Sequence, residues 1–251
     1  MNGVKGLIIK EIYLRRKTML TMLATFTLFF ILAASFCLSF DYGNMKNNDN
    51  IDRGSAVLVL SYSVGGMGIL LFNQNAETIA KDKKCKWNIF ERTLPLSAKK
   101  LAAVRIGLLT ASNLLGVVLA VLLSWVMFTL AHLEFNASVI ANISVIAMLV
   151  FMLTVFSNFM NLKYSDPQKA ATRFMALLLG IYAIAAVFIY SEFSKFKGMS
   201  EEELNNIIAD EYLTPLAELR DRLFPFFILI FAAIAVIGYF LFLTQYKRRE
   251  K

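Results

Sequence analysis

The sequence predicts an all-α integral membrane protein with six transmembrane helices and both termini in the cytoplasm. Hydrophobic residues make up 58% of the 251 residues, whereas soluble globular domains contain about 45–50%. Six apolar stretches approach the roughly 20 residues that a helix needs to cross a bilayer. Cations and acids are also divided unevenly between alternate connecting segments. Together these features predict a body surrounded by lipid rather than a soluble core.

The six apolar stretches form a single predicted transmembrane domain over residues 1–251. They occupy residues 18–40, 55–72, 106–130, 139–162, 174–190 and 226–242. The fifth is the shortest, and none of the six contains Asp, Glu, Lys, Arg or His. Proton- and ion-coupled carriers generally keep ionisable groups at membrane depth, so this absence disfavours gradient-driven transport. Sodium can be bound by carbonyls and hydroxyls alone, so a secondary transporter or a channel remains the alternative.

The distribution of charge predicts the orientation. The N-terminal segment, residues 73–105, residues 163–173 and the C-terminal segment hold 20 of the 26 Lys and Arg and only six acids. The other three connections hold six cations and twelve acids. An excess of Lys and Arg in short connections marks the cytoplasmic side. Because membrane topology accounts for the basic surplus, no nucleic-acid partner is needed.

Residues 4–17 have the pattern of an interfacial helix. The cations of this segment surround an apolar face. That face consists of Val4, Leu7, Ile8 and Ile12. Such a helix is expected to lie in the inner membrane interface before the first span. The apolar run that follows has about 23 residues, too many for the core of a signal peptide.

The connection between the second and third spans, Asn73 to Arg105, combines cations with large apolar side chains. It contains eight Lys and Arg. Trp87, Phe90 and Leu94 have the spacing i, i+3 and i+7, which places them on one face of a short amphipathic helix. This pattern favours a docking helix that inserts into another protein. The alternative is a connector that rests on lipid headgroups.

The third span has a recognisable start. Pro95 ends the preceding helix, and Ser97 is the predicted N-cap of the next one. Leu96 and Leu101 have the spacing of a hydrophobic staple.

Small residues indicate close contacts between spans. Ser61 and Gly65 in the second span are four residues apart, which lets another helix approach closely. In the third span the same spacing runs over four turns, through Ser112, Gly116, Ala120 and Ser124. Both stripes predict either a packing face or part of a substrate pathway.

The fourth span carries the most polar face of the predicted membrane part. Thr154, Asn158 and Asn161 have the spacing i, i+4 and i+7. Hydrogen bonds between helices explain this face as well as a polar lumen does.

The external connection over residues 191–225 predicts two short helices. Ser200 and Glu203 form a capping-box pattern that opens the first. Pro215 ends it, and a second amphipathic piece, Leu216 to Leu223, leads to Pro225 at the mouth of the last span. Their apolar faces are expected to rest on the outer membrane surface.

Several kinds of catalytic site are not represented in the sequence. His132 is the only histidine, so no Cys/His cluster for a metal exists. No GxxxxGKS/T phosphate loop is present, so the chain is not expected to hydrolyse ATP itself. An intramembrane enzyme is also disfavoured, because the spans contain no Ser/His/Asp set.

Three features together resemble the permease subunits of ABC-2 type exporters, most closely the small permeases of the phenol-soluble modulin exporter type. The first is the opening segment GLIIKEIYLRRKT, and the second is the loop segment KWNIFERTLPLSAKKLAAVR. The third is the predicted topology, with a helical external segment before the last span. The resemblance covers essentially the full length. Its most specific part is Trp87 followed by the run Thr93 to Ser97.

The resemblance implies a permease of a bacterial cell membrane that dimerises, as a homodimer or a heterodimer. Its cytoplasmic coupling helices would dock on separate ATPase subunits. The chain would bind no cofactor, and ATP and Mg²⁺ would act through the ATPase partner. The implied cargo is amphipathic peptide or lipid-like material. The coupling residues implied are Asp82, Lys83, Lys84, Lys86, Trp87, Asn88, Phe90, Glu91 and Arg92.

Overall fold

The computed structural model describes residues 3–39, 53–72, 96–164, 166–194 and 214–250. Within these ranges the chain forms seven α-helices, a 3₁₀ turn over Phe224–Phe226 and no β-strand. The helices are α1 (Gly3–Ser39), α2 (Arg53–Phe72), α3 (Ala98–Leu130), α4 (Ala137–Lys163), α5 (Pro167–Ser194), α6 (Thr214–Leu223) and α7 (Phe227–Glu250). The predicted all-α class is confirmed for the described residues.

Four helical segments in the described residues are long and apolar enough to cross a membrane. They are Ala98–Leu130, Ala137–Lys163, Gln168–Val187 and Thr214–Arg248. Two shorter apolar segments, Leu23–Leu38 and Ala56–Leu70, lie within α1 and α2. The structure therefore indicates a multi-pass membrane protein, because a helix satisfies its backbone polar groups internally and can be surrounded by lipid.

The N-terminal helix differs from its prediction. The predicted interfacial segment and the first span form one uninterrupted helix of 37 residues, Gly3–Ser39. The junction reads LRRKTML, which contains neither Gly nor Pro, so nothing in the sequence breaks the helix there. A helix of this length measures about 55 Å, well beyond the 30 Å or so of the hydrocarbon core. The basic residues at its start therefore need not enter the apolar layer.

A tight connection at residues 131–136 joins α3 to α4. His132 has a left-handed backbone (φ 52°) just after the end of α3. Its N–H donates to the carbonyl of Thr129, and the N–H of Leu133 donates to the carbonyl of Phe128, which is the Schellman arrangement. Asn136 then caps α4, because its side-chain oxygen accepts from the N–H of Val139 at 3.3 Å. The histidine thus has a structural role in ending a helix.

The buried apolar residues form two clusters along the α3–α4 pair. One cluster joins α1 and α2 to the later half of α3 and the first half of α4, around Val64, Ile69, Met127 and Ile143. The other joins α7 to the opposite halves of α3 and α4, where Phe151 stacks on Phe231 with ring centroids 4.4 Å apart. The α3–α4 pair is therefore the central support for the other helices.

Helix α5 is the least enclosed of the long helices. Only 6% of its span is buried, compared with 39% for α4. It contacts α4 near its start, where the rings of Phe156 and Phe174 lie 6.0 Å apart. Farther along, Ile184 and Tyr190 are each more than 70% exposed. This apolar surface is available to lipid or to another membrane helix.

Helices α2 and α3 approach each other closely at Gly116. A Cβ atom placed on Gly116 would lie 3.0 Å from the Cα of Ile69 and 3.5 Å from its carbonyl oxygen. Both of these atoms belong to the backbone, so a side-chain rotation could not relieve the contact. The close approach therefore favours glycine at this position.

We expect Gly116→Ala to destabilise the protein by about 1–3 kcal/mol, because the added methyl group forces α2 away from α3. Gly107→Ala on the same helix is the matched control, since a Cβ at Gly107 would have no neighbour within 4 Å. That control should keep or raise stability, by up to about 1 kcal/mol, through its better helix propensity. Thermal unfolding of both variants in mild detergent measures the difference. Equal stability of the two variants would show that the close contact is unimportant.

Candidate functional site

The predicted coupling residues lie outside the described part of the chain, because the whole set falls between residues 73 and 95. The described structure resumes at Leu96, and Ser97 occupies the predicted N-cap position of α3. The backbone of Ser97 is extended, and its carbonyl accepts from the N–H of Leu101 at 3.1 Å. Its side chain forms no capping hydrogen bond. The predicted position is confirmed, while the expected side-chain bond is not made.

Ser61 and Gly65 lie in the contact between α2 and α3. A Cβ on Gly65 would lie 3.4 Å from the Cβ of Ala120 and 3.8 Å from the Oγ of Ser124. The hydroxyl of Ser124 donates to the backbone carbonyl of Ser61 at 3.4 Å. Ser61 is fully buried, and its own hydroxyl has no partner among the described residues. These contacts have the geometry of a packing face.

The predicted polar face of α4 hydrogen bonds to its own backbone. Thr154 donates to the carbonyl of Val150 at 2.7 Å, and Asn158 donates to the carbonyl of Thr154 at 2.8 Å. Asn161 donates in the same way to the carbonyl of Ser157 at 3.0 Å. Asn158 is 1% exposed, whereas Thr154 and Asn161 are half-buried. Bonds of this kind satisfy side-chain donors within the helix, so the polar spacing alone does not require a lumen.

A second buried asparagine connects two helices. Asn113 on α3 is fully buried, and its amide donates to the carbonyl of Ala147 on α4 at 3.3 Å. In an apolar environment such a bond stabilises helix association by about 0.6 kcal/mol on average. The sequence analysis did not single out Asn113. Its one signal is an isolated amide in an otherwise apolar stretch of α3.

A charged contact joins α6 to α4 and α2. The guanidinium of Arg220 donates through Nη1 to the side-chain oxygen of Asn142 at 3.0 Å. The amide nitrogen of Asn142 donates to the hydroxyl of Tyr62. Arg220 also donates through Nε to Asp221 at 2.8 Å. Tyr62, Asn142, Arg220 and Asp221 are called the Arg220 cluster below.

The Arg220 cluster joins a charged side chain to polar residues of two predicted spans. Tyr62 and Asn142 fall within the predicted second and fourth spans. At 1.5 Å per residue they lie about 13 Å and 8 Å from the starts of α2 and α4. The sequence places Arg220 in an external connection, yet the structure brings its side chain against polar groups of two apolar helices. A charged group in such a position is costly unless it is paired or functional.

Sequence reasoning could not find this cluster, because Asn142 lies 80 residues from Tyr62 and 78 residues from Arg220 along the chain. The available signal was the amphipathic pattern of residues 216–223, which predicts a helix on a membrane surface but not its neighbours.

Within the described residues, no group of three or more His, Cys, Asp or Glu side chains could hold a metal ion.

Comparisons with protein-family models, with curated proteins and with solved structures find no match for this chain. Functional inference therefore depends on the physical features of the sequence and of the described helices.

We expect Ser61→Ala to leave stability unchanged or to raise it by about 1 kcal/mol, because it removes a buried hydroxyl without a partner. The matched variant Ser124→Ala removes a donor that is used, and it should lower stability by about 0.6 kcal/mol. Thermal unfolding in detergent measures both changes. A clear loss of stability in Ser61→Ala would contradict the absence of a partner for this hydroxyl.

Proposed function

We propose that this chain is the transmembrane permease subunit of an ATP-driven exporter. It pairs with a second permease copy in a bacterial cell membrane and couples to separate ATPase subunits. Its cargo is an amphipathic peptide or another hydrophobic molecule. The observation that carries the proposal is the connection from Asn73 to Arg105, where Trp87 and Phe90 lie among eight cations.

The residues of that connection are suited to couple the permease to an ATPase subunit. Large aromatic side chains at i and i+3 give a helix an apolar anchor, and aromatic and Arg side chains provide much of the binding energy in protein interfaces. The surrounding cations favour the cytoplasmic side, where an ATPase operates. Since the sequence has no phosphate loop of its own, the energy of ATP must come from a partner.

The described helices support the membrane part of the proposal. Apolar segments are present in α1 and α2 and in four longer stretches, as a permease body requires. Helix α5 leaves most of its apolar surface exposed, which offers a second permease copy a surface for pairing. The proposed permease has six spans with both termini inside, and α6 is one of its external helices.

A gradient-driven transporter or channel remains the competing function. The Arg220 cluster gives limited support to a gradient-driven transporter, since ionisable groups at membrane depth are common in coupled carriers. However, Arg220 hardly loses its proton in proteins, so it cannot serve as a proton carrier. Transport by the purified chain in vesicles with an ion gradient and no ATPase would establish this alternative.

We expect the double variant Trp87→Ala with Phe90→Ala to reduce ATPase co-purification by at least about tenfold, because truncating two interface anchors typically costs 2 kcal/mol or more. The measurement is recovery of the ATPase with tagged permease in mild detergent, together with the rate of ATP hydrolysis.

The matched control is Trp125→Ala with Phe240→Ala. These side chains are 52% and 58% exposed on apolar helices, where lipid is expected to surround them. This control should retain the ATPase. Normal ATPase binding and turnover in the Trp87/Phe90 variant would contradict the proposed coupling helix.

A further inference from the structure

We propose that the Arg220 cluster binds the phosphate group of a membrane phospholipid. The inference requires only that the apolar helices lie in a membrane. It is therefore independent of the exporter function proposed above.

The first argument comes from the hydrogen bonds of Arg220. A guanidinium has five N–H donors and no acceptor. In the described structure two of them are used, by Asp221 through Nε and by Asn142 through Nη1. The other three have no acceptor among the described residues. Because the side chain is only 18% exposed, most of it is withheld from bulk water, and a further acceptor at this position would stabilise the guanidinium.

The second argument concerns the neighbouring hydroxyl group. Tyr62 accepts a hydrogen bond from the amide nitrogen of Asn142, which leaves its own O–H able to donate. The same amide accepts from Arg220 through its oxygen. The donors of Arg220 on α6 and Tyr62 on α2 therefore lie on either side of the Asn142 amide. A ligand that contacts both donors must supply hydrogen-bond acceptors. A phosphate offers several acceptor oxygens, and Arg binds phosphate with a favourable geometry.

The two carboxylates of α6 do not bind the Nη groups of Arg220. Asp221 is 62% exposed and is bound at Nε, while the two Nη atoms lie on another edge of the guanidinium. Glu218 is also 62% exposed and pairs with Arg222 at 3.4 Å. Asp221 accepts from Nε of Arg220, and Glu218 accepts from Arg222.

The third argument identifies the source of the phosphate. Exposed apolar side chains lie on the same stretch of chain as Arg220. Leu216, Leu219 and Phe226 are 61%, 52% and 54% exposed. A soluble anion would gain nothing from these residues, whereas the acyl chains of a phospholipid would cover them. Burial of apolar surface beside a charged group is the pattern of a helix at the membrane interface.

The test uses the purified full-length protein, first stripped of bound lipid in detergent. It is mixed with phosphatidylglycerol or with an uncharged diacyl glycolipid that has the same acyl chains and no phosphate. Native mass spectrometry then counts bound lipids. The unaltered protein should retain phosphatidylglycerol preferentially, and equal retention of the two lipids would overturn the proposal.

Arg220→Gln should reduce the retention of phosphatidylglycerol about tenfold, because hydrogen bonds to charged groups are worth about 1.5–3 kcal/mol. Arg222→Gln removes the same charge from the same helix at a side chain that is 79% exposed, and it should bind normally. Equal loss in both variants would indicate nonspecific attraction between charges and would overturn the proposal.

Two additional measurements keep the test decisive. Tyr62→Phe removes one donor while preserving shape, and it should weaken phosphatidylglycerol binding several-fold. If Arg220→Gln does not fold, an unchanged lipid preference in Tyr62→Phe overturns the proposal. Inorganic phosphate at millimolar concentration should not displace the lipid; complete displacement would identify a site for soluble phosphate and would contradict the lipid assignment.

Discussion

The contact between α2 and α3 at Gly116 is the close approach around which the first of the two apolar clusters is built. In lipid, apolar side chains gain little by leaving their surroundings, so helices associate through close packing and hydrogen bonds. Gly116 brings the backbones together, and the bond from Ser124 to the carbonyl of Ser61 lies on the same contact. Residues such as Val64 and Ile69 are buried as a result of that approach.

The lipid surroundings also determine how polar groups in the apolar helices are paired, because lipid hydrocarbon offers them no hydrogen-bond partners. Thr154, Asn158 and Asn161 donate to their own helix, and Asn113 donates to the neighbouring α4. Arg220 is different because most of its donors have no acceptor in the described residues, although the side chain is largely covered. Its position beside exposed Leu and Phe side chains makes lipid the natural source of the missing acceptors.

Much of the secondary structure could be predicted from hydropathy and capping chemistry. Ser97 is the N-cap of α3, and α6 corresponds to the amphipathic piece predicted at residues 216–223. The uninterrupted α1 was missed, because a change from an amphipathic to an apolar pattern was interpreted as a change of direction. Such a change alters which neighbours a helix prefers, but it does not break the backbone hydrogen bonds.

The sequence alone determined that the chain is helical, where its apolar stretches lie and which connections carry the excess cations, because these properties depend on local composition. It also supplied the spacing of Trp87 and Phe90, on which the proposed coupling helix depends. Tertiary structure alone decided that Gly116 faces the backbone of Ile69, that Asn113 donates to the carbonyl of Ala147, and that Arg220 reaches Asn142. Those facts depend on which helices become neighbours, and hydrophobic periodicity specifies the face that a helix buries without specifying its partner.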